Sequence, residues 1–153
     1  MRVWRFHNRR YESLDATGAS VYGGRWNQRG HAVLYASASF AGGLLELLAH
    51  ATHPRVAPVN HVAALLVVPD DAGIEVLNPP YPPGWDDLDD YGVSQEMASS
   101  WAATGSALCL DVPSVAGAPI ERNFVIDARH PRFPEVVVES TVDPLYDPRV
   151  WRS

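Results

Sequence analysis

Glu46 stands in the run Leu44-Leu45-Glu46-Leu47-Leu48-Ala49-His50, a carboxylate in a segment otherwise built from Leu, Gly and Ala. Burying a charge in such company is costly unless it has a partner. Any fold of this chain must therefore turn Glu46 to water or hold it against something. Upstream, the turn Gly23-Gly24-Arg25-Trp26-Asn27 carries a fixed cation between residues that let a backbone approach closely, and Tyr35 lies between turn and carboxylate. The arginine fork suits phosphate and keeps its charge near neutral pH. Cation, aromatic face and carboxylate together point to a pocket for an anionic, ring-bearing ligand.

Helical geometry leaves three readings of Glu46. At about 100° per residue it points away from the stripe Phe40, Leu44 and Leu47, and shares a face with Gly42, Gly43 and His50. That face can meet a ligand or another backbone. It can equally lie in solvent, with Glu46 and His50 as a nearly neutral i,i+4 pair. Glu46, His50 and His53 can also be read as a two-histidine, one-carboxylate metal site, although Pro54 follows His53 and should fray the last turn.

At 153 residues and 46% hydrophobic content, the chain can bury a core as one domain spanning 1–153. Its net charge of −6 argues against direct nucleic-acid binding, which needs a basic face. All twelve basic residues are arginine, so lysine-based phosphate loops, Schiff bases and general bases are excluded. Cys109, the only cysteine, excludes an intrachain disulfide or a cysteine zinc cluster, and its apolar neighbours point to an inert thiol. No run has signal-peptide or membrane-span character, so a cytoplasmic protein without membrane contact is expected.

The pattern along the chain predicts an α+β domain: a mixed or antiparallel sheet with few helices. Strands are expected at Val3–Phe6, Ala32–Tyr35, His61–Val68, Ile74–Leu77, Ala107–Val112, Phe124–Ile126 and Val136–Val138. A helix is expected from Ser39 to about His50, buried through Phe40, Leu44, Leu47, Leu48 and Ala51. A second is expected from an N-cap at Ser94 to about Ala103, with Val93, Met97 and Trp101 inward and Gly105 as its stop. Asn78–Trp85, with four prolines, cannot be regular structure.

No dinucleotide fingerprint and no Gly-x-Ser-x-Gly elbow is present. Ser114, between Pro113 and Val115, reads as turn chemistry, and His7, His31, His61 and His130 as structural or exposed residues.

Gly23-Gly24-Arg25-Trp26-Asn27, Tyr35-Ala36-Ser37, Glu46 in its Leu-rich run and Val112-Pro113-Ser114 together resemble the RES domain. Val3-Trp4-Arg5-Phe6 and Glu121-Arg122-Asn123-Phe124 extend the resemblance to nearly the whole chain. The resemblance implies a toxin of a bacterial toxin–antitoxin pair with an ADP-ribosyltransferase-like fold. It also implies cleavage of NAD⁺ at the nicotinamide glycosidic bond by phosphorolysis or hydrolysis, with ADP-ribosyl transfer to a protein or mere nucleotide binding as alternatives. NAD⁺ would be the substrate, inorganic phosphate a co-substrate, and no cofactor or metal would be needed. An Xre-type antitoxin with a helix-turn-helix domain would be the partner, and the chain would form a homodimer or a hetero-oligomer with that antitoxin. Carried over by position, Glu46 and Arg25 become catalytic. Arg25, Tyr35, Ser114, Asn123 and Arg5 become substrate-binding residues.

Overall fold

The computed structural model describes residues 1–51, 57–147 and 149. The described elements in chain order are β1 (Arg2–Asn8), α1 (Thr17–Tyr22), β2 (Val33–Ser37), α2 (Phe40–Ala49), β3 (His61–Val67), β4 (Ile74–Val76), α3 (Gly92–Thr104), β5 (Cys109–Pro113), β6 (Arg122–Asp127) and β7 (Val137–Val142). A 3-10 turn at Phe133–Glu135 precedes β7. The α+β architecture expected from the alternation of short apolar strands holds.

One seven-stranded sheet runs β4-β5-β6-β2-β1-β3-β7. Among the described strands, only β4 and β5 pair in parallel. Side chains alternate across it. On one face Val3, Leu34, Ala36, Leu66, Phe124 and Ile126 join a core that Leu14 and Phe133 cover. On the other, Val33, Leu110, Val112 and Val125 pack with Trp26 and with Ala98 and Trp101 of α3. β1 and β2 share one pairing, Trp4 with Ser37, so the sheet parts between them beyond that point. This split positions the site.

Helix α2 packs otherwise than its leucines suggest. Ser39 caps it, accepting from the Gly42 amide at 2.9 Å, and its buried residues are Gly42 and Gly43. Leu45 is 43% exposed, and Leu44, Leu47 and Leu48 are only half-buried. The glycine face goes down because it allows the closest approach: a Cβ on Gly43 would stand 2.6 Å from the Phe6 ring. Phe40 anchors the helix start against Trp4 and Phe6, with ring centroids 5.2 and 5.1 Å away. Glu46, one turn beyond the glycines, is thereby carried toward the sheet.

Gly43→Ala tests this seating. Overpacking against a ring already held by Phe40 should cost about 1–3 kcal/mol, lowering Tm by roughly 2–12 °C. Thermal unfolding within about 1 °C of wild type would show that the helix is not pinned through this residue.

Elsewhere the boundaries shift. α3 begins at Gly92 after Tyr91, so Ser94 lies inside the first turn, fully buried, donating to the Tyr91 carbonyl at 3.1 Å. Its buried residues are Ser94, Ala98 and Trp101, a face turned by one residue from Val93 and Met97. Gly105 closes it in the left-handed region, φ 58°. Helix α1 was not foreshadowed, having six residues and none buried. β7 extends to Val142 and is exposed at every position, as an edge strand. Asn78–Trp85 contains neither helix nor strand.

Candidate functional site

Three chain segments meet at Glu46. Its Oε1 accepts from the Ser114 hydroxyl at 2.6 Å and from Asn123 Nδ2 at 2.7 Å. The Asn123 amide is oriented in turn, because its Oδ1 accepts from the Ser37 hydroxyl at 2.7 Å. Ser114 Oγ also accepts from the Gly117 amide at 2.8 Å, which fixes the turn after β5. The other carboxylate oxygen, Oε2, stands 3.7 Å from His50 Nε2. The side chain keeps 22% exposure, so the charge is held but reachable. Neither a solvent-facing glutamate nor an unsupported one describes it.

Arg25 is held by a separate framework. Gly23, at φ 71°, ends α1, and Gly24 forms a bridge with Asn27. A Cβ on Gly24 would stand 2.7 Å from the Tyr35 hydroxyl, so glycine is required there. That hydroxyl accepts from the Trp26 amide at 3.0 Å and donates to Asn27 Oδ1 at 2.7 Å. Burial raises the Tyr35 pKa and keeps the phenol protonated as a donor. Asn27, almost fully buried, donates to the carbonyls of Ala19 (2.8 Å) and His31 (2.9 Å). The Arg25 side chain donates to the Trp85 carbonyl at 2.9 Å and lies over the Tyr91 ring at 4.5 Å, a cation–π contact.

These groups border one cavity of about 730 Å³, lined among others by Trp4, Phe6, Arg25, Tyr35, Glu46 and Asn123. Such a volume matches ligand sites for drug-sized or cofactor-sized molecules. The structure thus brings together Arg25, Tyr35, Glu46 and Asn123 around a shared space. Ser114 is 2% exposed and spends its hydroxyl on the carboxylate, so it positions Glu46 rather than facing the space.

Arg5 is not among the lining residues. Alternation on β1 sends Trp4 and Phe6 to the cavity and Arg5 to the opposite face, where it donates to the Asp15 carbonyl at 2.9 Å. Burial lowers its pKa to about 10, with the Asp15 charge opposing the fall. Its geometry is that of a structural cation under the sheet. His53 lies outside the described residues. Among those described, no three His, Cys, Asp or Glu side chains come together as a metal ion would require. Cys109 is buried, and burial pushes its thiol up to about 12, far from nucleophilic.

Gln95 escaped sequence reasoning. From α3 its Nε2 donates to the carbonyls of Gly24 (2.8 Å) and Asn27 (3.2 Å), clamping both ends of the turn that presents Arg25. Nothing local in the sequence links a glutamine on one helix to a turn so far upstream. Gln95→Glu would set a carboxylate against two carbonyls. We expect it to raise KM for a ligand bound through Arg25 by about tenfold, one lost charge-assisted alignment, and to change kcat far less. Equal effects on KM and kcat in steady-state kinetics would show that Gln95 acts more broadly than through Arg25.

The sequence matches the RES domain over residues 2–148, and the chain belongs to that family. It is 37% identical over 150 residues to the Prs ADP-ribosylating toxin of Sphingobium sp. (strain YBL2), covering 95% of this chain and 92% of that protein. To a Toxin Res of Yersinia enterocolitica it is 31% identical, covering 98% and 99%. A chain in the crystal structure of the M. tuberculosis MbcT–MbcA toxin–antitoxin complex has a similar fold, with TM-score 0.78 and 18% identity, covering 98% of this chain and 86% of that one. Among the described residues, no helix is long and apolar enough to cross a membrane.

Proposed function

We propose that this RES-family toxin binds NAD⁺ in the cavity, breaks its nicotinamide–ribose bond and so drains the cellular pool. The observation that carries this reading is a single reachable carboxylate, Glu46, aligned by Ser114 and Asn123 across a cavity from a fixed cation, Arg25. Glycoside cleavage usually needs two carboxylates, one of them to protonate the leaving group. Nicotinamide departs from a cationic nitrogen as a neutral base, so no general acid is needed. One carboxylate then suffices to stabilise the oxocarbenium charge that develops at the ribose. Two donors on Oε1 keep the anion aligned before the reaction starts, and Oε2 remains for the substrate.

In the same reading Arg25 grips the pyrophosphate, the Tyr35 ring packs on the nicotinamide riboside, and Asn123 contributes to the wall beside it. Ser114 acts through Glu46. No metal enters the chemistry, and inorganic phosphate or water is the acceptor. The proposed compartment is the cytoplasm. An unrestrained enzyme of this kind would stop its host, so we propose a cognate antitoxin of the Xre type with a helix-turn-helix domain, in a toxin–antitoxin hetero-oligomer. ADP-ribosyl transfer to a protein is the second reading, favoured by the name of the 37% identical relative.

The test is to incubate purified chain with NAD⁺ in water alone, with phosphate, or with a bacterial lysate, and to identify the ribose product. ADP-ribose, its 1″-phosphate, or label retained on protein separates the three acceptors. NAD⁺ surviving in all three would overturn the proposal.

A further inference from the structure

His61 is the one side chain able to accept a proton that the β1–β3 half of the split sheet offers to the cavity, among the described residues; its neighbours there are Trp4 and Phe6. Indole can only donate and phenyl does neither. The groups assigned to the nucleotide stand on the other half or are tied to it. Tyr35 is on β2 and holds the Arg25 turn, while Asn123 on β6 and Ser114 after β5 secure Glu46 Oε1. The cavity bridges the two halves where β1 and β2 part. His50, on α2, also borders it, but is 73% exposed and set against Glu46 Oε2.

At the first residue of β3, His61 has a backbone fixed by pairing with Asn8 and by its amide bond to the Pro58 carbonyl at 3.0 Å. Its Nδ1 is buried and makes no well-formed hydrogen bond with the described residues. Burial holds the imidazole below the usual histidine range, with the Pro58 carbonyl opposing in part. The ring is therefore largely neutral near pH 7, the state in which one ring nitrogen can accept a proton.

Resting on the NAD⁺ reading, we infer that His61 is the acceptor-side catalytic residue: it holds the incoming oxygen nucleophile and takes its proton. In an inverting displacement an oxygen acceptor reaches the ribose from the side away from nicotinamide, which the inference places at the wall opposite the groups assigned to the nucleotide. The C1′–N bond breaks with its electron pair leaving on nicotinamide. The acceptor oxygen forms the C1′–O bond, and a proton released from the acceptor (water, a hydroxyl group or a protonated phosphate) passes to the imidazole. Charge balances, since the positive charge of the pyridinium ends on the imidazolium and is released to solvent.

The test compares wild type, His61→Ala and His61→Asn for NAD⁺ loss in water, in phosphate and in lysate, alongside calorimetric binding of ADP-ribose. We expect kcat to fall roughly 10²-fold in both variants, the usual worth of a general base, with ADP-ribose affinity within about twofold of wild type. Added imidazole should restore part of the His61→Ala loss, which a merely structural histidine would not allow. Unchanged kcat in His61→Asn, or an equal loss of kcat and ADP-ribose affinity in both variants, would overturn the inference while leaving the NAD⁺ reading intact. No NAD⁺ loss by wild type under any acceptor overturns both. Circular dichroism melting of each variant identifies a folding defect, and in that case the folded variant of the pair decides.

Discussion

Glu46→Gln is expected to lower kcat for NAD⁺ cleavage by about 10³-fold or more, at the upper end of what one preorganised electrostatic contact supplies. The substitution keeps shape. Its amide oxygen can still accept from Ser114 Oγ and Asn123 Nδ2, now at 2.6 and 2.7 Å from Oε1. The amide nitrogen would take the place of Oε2 beside His50. What disappears is the negative charge, which matters most when the ribose becomes an oxocarbenium ion. KM should therefore move only a few-fold, by the rule that ground-state and transition-state contacts separate in this way. Thermal unfolding should stay close to wild type. A kcat within about tenfold of wild type (roughly 1.4 kcal/mol) would remove Glu46 from the role of charge stabiliser.

Arg25→Lys should lower kcat/KM by about 10- to 100-fold, the value of one charge-assisted hydrogen bond of roughly 1.5–3 kcal/mol. Charge is conserved, but geometry is not. The guanidinium donates to the Trp85 carbonyl through one nitrogen while its plane rests on the Tyr91 ring, leaving the rest of the fork to face a ligand. An ammonium cannot hold both contacts and also present two parallel donors to a phosphate. The loss should fall on KM more than on kcat, because phosphate binding is common to ground and transition states. Near-wild-type KM and kcat would show that no phosphate is gripped there.

The elements with strong local patterns were legible. The alternation of Val3–Phe6 and the apolar run from His61 foretell β1 and β3, and the four prolines of Asn78–Trp85 foretell an irregular stretch. Ser39 and Gly105 mark their helix ends because capping is a property of a few consecutive residues. Orientation was less legible. In α2 the leucine stripe suggested the buried face, yet Gly42 and Gly43 are buried, because absence of a side chain allowed a closer approach than leucine packing could. α3 is likewise turned by one residue, so that small Ser94 and Ala98 are buried together with Trp101.

For the candidate site, composition and local spacing alone were enough to single out Arg25, Tyr35 and Glu46: an arginine among glycines and a carboxylate among leucines each need a reason. Sequence alone could not say which partners supply that reason. Ser114 and Asn123 reach one oxygen of Glu46 from the end of β5 and the start of β6, and Gln95 clamps the Arg25 turn from α3. Arg5 was grouped with the site through the family resemblance, and strand alternation sends it beneath the sheet. His61 looked like one scattered histidine until the parting of β1 from β2 opened a cavity that it borders. Local residue chemistry is written in neighbouring letters. Which charges meet across a cavity depends on sheet order and helix seating, long-range outcomes of packing that no short stretch of this chain encodes.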